Sequence, residues 1–284
     1  MPQVGIIGLG LLGSAIAARL LAAGNEVVGF DLAPDCRESL AAAGGQIAES
    51  PEAVAQQSNV VLLSLPDSTV VASVLKELDS QLRPGLRIVD TSTGEPLETE
   101  AIAAALAERE VEYLDATVLG SSVQTRAGDV VVMVGGSAEG FAASRELLSC
   151  FAREVFHVGP VGAGSRMKLV VNLVLGLNRA VLAEGLTLAK ALELDLPMAL
   201  AVLKSGAAFS AVMESKGAKM LAGDFSPQAR LSQHLKDVRL MLAAAERTGT
   251  PLPLSEVHRL LLEQAETAGY GDADNSAVLR AFDR

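Results

Sequence analysis

Six residues near the start constrain this chain more than any others. They are Gly8-Leu9-Gly10-Leu11-Leu12-Gly13, set between an apolar run, Val4 to Ile7, and an Ala/Leu-rich segment. A strand that turns through such glycines into a helix brings backbone amides and a helix N-terminus up to a phosphate group. Alone, the Gly-x-Gly-x-x-Gly spacing also fits a flexible turn. Here the strand before it, the helix after it and an acidic residue ending the second strand agree. That residue, Asp31, stands 23 positions after Gly8, where a carboxylate accepts hydrogen bonds from ribose hydroxyls and repels a 2′-phosphate. The pattern predicts a dinucleotide turn built from Gly8, Leu9, Gly10, Leu11, Leu12 and Gly13, with NAD favoured. Asp31 capping the turn before Pro34 is the other use of the same carboxylate, and Arg37 keeps NADP open.

Up to about residue 160, short β-branched runs alternate with Ala/Leu-rich stretches, the rhythm of a parallel sheet with crossover helices. Strands are expected at Val4 to Ile7, Val27 to Phe30, Val60 to Leu65, Arg87 to Val89, Val111 to Leu114, Val130 to Val134 and Val155 to Val158. Helices are expected near 12–23, 34–43, 68–79, 96–109 and 138–149. After Gly159-Pro160 the alternation stops, and Gly164 to Leu194 reads as one long apolar helix followed by helices near 197–205, 210–221, 227–247, 254–268 and 275–282. The fold class is therefore α/β: an N-terminal Rossmann doubly wound sheet, residues 1–160, followed by an all-helical C-terminal domain, residues 161–284.

Composition narrows the partners. With 23 Lys and Arg against 34 Asp and Glu, the net charge of −11 opposes nucleic acid and anionic membranes, which leaves small molecules. Cys36 and Cys150 belong to no metal-ligand spacing, so no metal site is expected. Reduced cysteines, and a start that lacks the basic and apolar stretches of a signal peptide, fit a cytoplasmic protein. The apolar stretch Leu169 to Leu177, broken by Asn172 and ended by Asn178-Arg179, reads as a buried helix. Apolar residues left over on that helix predict a homodimer or homotetramer.

The chain resembles the β-hydroxyacid dehydrogenase family, which includes 3-hydroxyisobutyrate dehydrogenase and tartronate semialdehyde reductase. After the glycine turn, the motifs are Leu65-Pro66-Asp67-Ser68, Asp90-Thr91-Ser92-Thr93-Gly94-Glu95-Pro96, and a block from Asp115 to Gly136. Then come Gly162-Ala163-Gly164-Ser165-Arg166-Met167-Lys168 with Asn172, and a late Lys236-Asp237. Leu65-Pro66 and Thr91 to Thr93 each end a strand on the edge where open α/β sheets bind ligands. Read without the resemblance, the Thr91 to Thr93 segment serves equally as an N-cap for the helix after Pro96. The resemblance implies that Leu65, Pro66, Thr93 and Lys236 touch the cofactor, that Thr93 also approaches the substrate, and that Lys168 and Asn172 are catalytic.

Hydride transfer from an alcohol needs a group that takes the hydroxyl proton, and Lys168 is the candidate. An ordinary lysine, at about 10.4, is a poor base at neutral pH, so its site has to favour the neutral amine. Asn172, four residues on and on the same helical face, would orient the substrate hydroxyl or hold Lys168 in place. On spacing alone, a snorkelling lysine and a satisfied interior amide fit as well. His157, His234 and His258 lack triad or metal spacing and read as structural.

Where the family has Asp-Ala-Pro-Val-Ser-Gly-Gly, this chain has Asp115-Ala116-Thr117-Val118-Leu119-Gly120-Ser121, then Ser122. Gly120 and Ser121, with Ser122 as a further donor, take over the expected carboxylate contacts. Val171 replaces the first of a usual Asn pair and Ala229 a frequent aromatic, so a bulkier or less polar substrate than a three-carbon semialdehyde is expected. For Lys236 and Asp237, a solvated ion pair is the alternative. The competing functions are an imine reductase and a non-catalytic NAD(P)-binding protein.

Overall fold

The computed structural model describes residues 3–283. The chain divides into two compact units, Met1–Lys168 and Leu169–Arg284.

In the first unit, β1 (Gln3–Ile7), β2 (Glu26–Phe30), β3 (Gln46–Ile47), β4 (Val60–Leu63), β5 (Arg87–Asp90), β6 (Glu112–Leu119), β7 (Val131–Gly135) and β8 (Glu154–Gly159) form one sheet. Its order is β3-β2-β1-β4-β5-β6-β7-β8. The helices between them are α1 (Leu11–Ala22), α2 (Pro34–Ala42), α3 (Pro51–Gln57), α4 (Ser68–Glu77), α5 (Pro96–Ala107), α6 (Ser122–Ala127) and α7 (Ala138–Ser149). Consecutive strand residues face opposite sides yet are equally buried. Ile6 and Leu62 join one core with Ile16, Leu20, Leu148 and Phe151, whereas Ile7 and Leu63 join another with Val54, Val71 and Leu78. A sheet covered on both faces explains why its strands are unbroken apolar runs. The order reverses between β1 and β4, and doubly wound sheets bind ligands at the carboxyl ends of the strands flanking such a reversal.

Several elements of this unit differ from the sequence expectation. The two-residue strand β3 pairs with β2 only at Val28 and Gly29, too short to leave a hydropathy pattern. α3 and α6 occupy stretches read as loops; Ser50 caps the first by accepting from the Ala53 N–H, and Ser121 opens the second. The sheet is not wholly parallel: β7 runs antiparallel to β6, pairing Asp115–Leu119 with Val131–Gly135, because α6 is too short a connection for a crossover.

The second unit, among its described residues, has no multi-residue strand. α8 (Ala163–Ala191) begins in the first unit and continues into it, followed by α9 (Leu196–Ser205), α10 (Ala211–Ala222), α11 (Leu231–Thr248) and α12 (Pro253–Ala265). A π-helical turn, Glu266–Tyr270, and a 3-10 segment, Asn275–Phe282, close it. α11 starts at Leu231 instead of near 227, because Gln228 and Ala229 turn their amides to the Asp274 carboxylate. Leu231, Leu235, Val238 and Met241 at helical spacing bury one face of α11 in a core with Leu182, Leu186, Leu200, Met220 and Leu262.

Candidate active site

The glycine turn leaves β1 at the reversal point and enters α1, as its sequence requires. Gly8 has φ +93°, and a Cβ there would lie 2.3 Å from the Ser64 carbonyl oxygen. A Cβ on Gly13 would lie 1.9 Å from the Gly8 carbonyl oxygen, so only hydrogen fits where helix meets turn. Gly10 is different: a Cβ there meets nothing within 4 Å, and no side chain caps α1 above it. The open space over Gly10, at a helix N-terminus with no side-chain acceptor, matches what a pyrophosphate needs. The turn fits the dinucleotide.

Asp31 is held against this turn. Its Oδ2 accepts from the Leu9 N–H at 2.6 Å and its Oδ1 from the Ala33 N–H at 2.8 Å. The turn-capping role and a ribose-facing carboxylate are thus compatible uses of one side chain. Arg37 donates to the Asp31 carbonyl at 2.5 Å and lies over the Phe30 ring, 5.7 Å from its centroid.

Leu65, Pro66 and Thr91 to Thr93 follow β4 and β5 at the same carboxyl edge. The buried Thr91 hydroxyl donates to the Leu63 carbonyl at 2.8 Å, and the Ser92 hydroxyl accepts from the Leu65 N–H at 2.9 Å. These two hydroxyls lock the strand ends together, leaving the half-buried Thr93 to be presented beyond them. Glu95, not Thr91 to Thr93, caps α5, accepting from the Leu97 and Glu98 N–H groups. Beneath lies Asp90, buried, accepting from the Tyr113 hydroxyl at 2.6 Å; burial pushes its carboxyl above the usual range, against the pull of Ser92 and Tyr113.

β6 carries the first turns of α8. The Asp115 carboxylate, 1% exposed, accepts from the Gly162 N–H at 2.9 Å and from the Ser165 N–H at 2.7 Å. Burial raises its pKa, while those two backbone donors pull the other way. Thr117 donates to the Gly164 carbonyl at 3.0 Å, and Lys168 Nζ donates to the Val118 carbonyl. Asp115 pairs with Asp90, the last residue of β5, so Val118 lies on the part of β6 that overruns β5 at the carboxyl edge. Lys168 therefore stands on the edge that also carries the glycine turn and Thr93. Gly120, with φ +144°, follows β6 there; Ser121 caps α6 in a reciprocal box with Gln124, and Ser122 opens that helix.

Asn172, one turn beyond Lys168 on α8, is buried and donates to Asp237 Oδ2 at 2.9 Å. Lys236 Nζ lies 3.8 Å from Asp237 Oδ1. Asp237 is only 6% exposed, so this is not a solvated surface pair, and the second unit brings Asn172, Asp237 and Lys236 together. His157 stacks on Phe141, and its Nε2 lies 2.9 Å from the Gly136 carbonyl oxygen, a structural arrangement. No metal-binding group of three side chains occurs among the described residues. Sequence reasoning passed over Asp115 and Thr117 as anchors of α8. Their signal was two polar side chains on alternate positions of an otherwise apolar strand, Tyr113 to Leu119.

Residues 3–159 match the family model described as the NAD binding domain of 6-phosphogluconate dehydrogenase. Residues 162–282 match that of NADP-dependent 3-hydroxyisobutyrate dehydrogenase, described as NAD-binding. The chain is 33% identical over 286 residues to 2-(hydroxymethyl)glutarate dehydrogenase of Eubacterium barkeri, covering 99% of this chain and 95% of that one. The crystal structure of 3-hydroxyisobutyrate dehydrogenase from Salmonella typhimurium superposes with a TM-score of 0.91 at 30% identity, over 99% of both chains. An imine reductase from Pseudomonas sp. is more distant, at 24% identity and a TM-score of 0.61 over 99% of each chain, and shares the fold.

Proposed function

Because the chain belongs to the β-hydroxyacid dehydrogenase family and is an NAD(P)-dependent oxidoreductase of hydroxy acids, we propose that Lys168 is its general acid/base. The observation that carries this is the place of Lys168 on Val118, at the carboxyl edge shared with the glycine turn and Thr93. Oxidation removes a hydride from the alcohol carbon and a proton from its oxygen. The bound nicotinamide provides the hydride acceptor. The neutral Lys168 amine takes the proton and becomes an ammonium; in reduction the ammonium returns it to the carbonyl oxygen. Asn172, fixed by Asp237, orients the reacting oxygen, and Lys236 supports the cofactor. Gly120 and Ser121, with Ser122 as a further donor, hold the substrate carboxylate; Thr93 lies near the nicotinamide ribose and the substrate, while Leu65 and Pro66 line the cofactor path from β4.

Asp31 favours NAD, since Arg37 is already committed to backbone and ring. Leu119, Val171 and Ala229 favour a 3-hydroxy acid bulkier than a three-carbon one. The relative named for 2-(hydroxymethyl)glutarate, itself branched, supports that direction. Initial rates of NADH formation across a panel of 3-hydroxy acids, repeated with NADP, test the reading. Turnover with NAD, better for branched or longer acids, is expected. Preference for glyoxylate in the reverse direction would remove the pocket assignment, a lower KM for NADPH than for NADH the cofactor preference. Tight NADH binding with no turnover on the panel would shift the assignment to imine reduction or to a non-catalytic role.

The enzyme is proposed to be a cytoplasmic homodimer or homotetramer. Val170, Val174, Val181 and Leu188 on α8 are 58%, 51%, 64% and 59% exposed. Their spacing puts them within one narrow stripe of the helix, an apolar surface suited to a second copy of the chain. A monomer mass in light scattering would count against it.

A further inference from the structure

β4 and β5 pair in parallel from Val60 with Arg87 to Leu63 with Asp90. Just beyond, Thr91 donates to the Leu63 carbonyl from both its N–H and its hydroxyl, each at 2.8 Å. From there on the strands give way to two loops, yet serine hydroxyls keep the register. Ser92 Oγ accepts from the Leu65 N–H at 2.9 Å, and Ser68 Oγ accepts from the Glu95 N–H at 2.8 Å. Both pairs stand 27 residues apart, the same offset as Leu63 and Asp90. A side-chain oxygen thus takes the place of a backbone carbonyl and satisfies amides that no longer lie in a sheet.

The two bonds close a frame, with Leu65-Pro66-Asp67-Ser68 on one side and Ser92-Thr93-Gly94-Glu95 on the other. Ser92 and Ser68 are only 6% and 5% exposed. A Cβ on Gly94 would lie 2.2 Å from Ser68 Oγ, so the second loop crosses that hydroxyl where only glycine fits. Asp90 sets one corner: its Oδ1 accepts from the Ser92 N–H at 2.8 Å and its Oδ2 from the Tyr113 hydroxyl at 2.6 Å. Ser92 is thereby tied to β6 as well as to the first loop. Asp67 sets another corner by accepting from the Val70 N–H at 3.0 Å as the cap of α4. Ser68, Ser92 and Gly94 are buried, whereas Pro66 is exposed and Thr93 half-buried. Buried and fully paired hydroxyls hold a loop more narrowly than its own backbone would.

Given the cofactor contacts proposed above, on which this rests, we propose that Ser92 and Ser68, the first set by Asp90, are positioning residues for hydride transfer. They hold Thr93 and Pro66 at one spacing, and the nicotinamide ring keeps its reacting orientation against that frame. Two features favour a role beyond stability. The ties lie past the strands, where the sheet itself calls for no further pairing, and they bracket only the residues at the carboxyl edge. A rigid frame matters there because a misplacement of about 1 Å can cost about 10²-fold in rate.

The full chain saturated with NADH reads the frame through the emission of the bound nicotinamide, which brightens and shifts to shorter wavelength when a protein holds the ring away from water. Ser92→Ala and Ser68→Ala should each lose a large part of that enhancement. Each should also lower kcat by about 10-fold with the KM for NAD changed by less than about threefold. The double variant should lose more than about 100-fold, because either tie alone still holds the span. A hydroxyl that only stabilised the fold would lower Tm and leave the emission of the folded, saturated protein as it was. Should Ser92→Ala fail to fold, Tyr113→Phe frees Asp90 from β6 with the ring packing kept, and should show the same losses in smaller measure. Wild-type emission and kcat in both serine variants would overturn the positioning role alone. Wild-type protein that binds NADH yet leaves its emission as in water would place the nicotinamide away from these loops, and would remove the cofactor contacts together with the positioning role.

Discussion

Replacing Lys168 by alanine is expected to lower kcat by about 10²- to 10⁴-fold, the range for loss of a positioned general acid or base, with NADH affinity changed by less than about threefold. The affinity is kept because the glycine turn and Asp31 follow β1 and β2, whereas Lys168 is held on β6. The limb of the kcat/KM pH profile that reports deprotonation of the base should vanish as well. Full turnover in the variant would remove Lys168 from the chemistry. Asp115→Asn is the milder companion. The amide turns an N–H toward the Gly162 or Ser165 N–H, where the native carboxylate only accepts. A loss of about 1–3 kcal/mol of stability follows from the broken buried bond, with a fall in kcat smaller than that of Lys168→Ala because the amine is displaced, not removed. If Asp115→Asn lost stability at unchanged kcat, the carboxylate would anchor the helix without positioning the lysine.

Gly10→Val and Gly13→Ala should separate cofactor binding from folding. At Gly10 the backbone has φ −63°, ordinary for any residue, and the space over its Cβ position is empty of protein. Valine there should leave stability within about 0.5 kcal/mol of wild type. It should still weaken NADH binding by about 100-fold or more, some 2.7 kcal/mol, because its methyls fill the pyrophosphate position. Gly13→Ala drives a methyl onto the Gly8 carbonyl, backbone against backbone, so stability and affinity should fall together. Calorimetric titration with NADH alongside thermal unfolding reads both quantities. Normal NADH binding by a well-folded Gly10→Val protein would place the pyrophosphate elsewhere.

What was legible in the sequence was local or periodic. The glycine turn, Asp31 and the segments after β4 and β5 announce themselves because their conformation depends on neighbours in the chain. The strands flanking them are continuous apolar runs because both sheet faces are covered. Direction was not legible: β7 has the composition of a parallel core strand, and only the shortness of α6 makes it run backwards. α3 and α6 were missed because one or two turns bury too few residues to show a period, although Ser50-Pro51 and Ser121 with Gln124 are capping signals. Asp115 and Thr117 were passed over, because their role as anchors depends on α8, which the sequence places some 50 residues away. Arg179 marked the end of an apolar stretch, whereas it is 7% exposed within α8.

The anchoring of α8 bears on how this chain can be cut. A fragment ending at residue 160 would retain every strand of the sheet and the whole glycine turn. It would lack Gly162 and Ser165, and so leave the Asp115 carboxylate sealed in the strand layer with neither of its two amides. A fragment ending at Lys168, where the compact units part, would keep those amides but terminate inside a 29-residue helix. The nucleotide-binding half is thus incomplete at the point where its sheet ends. Recombination or domain grafting within such chains has to carry the opening turns of the long helix together with the sheet.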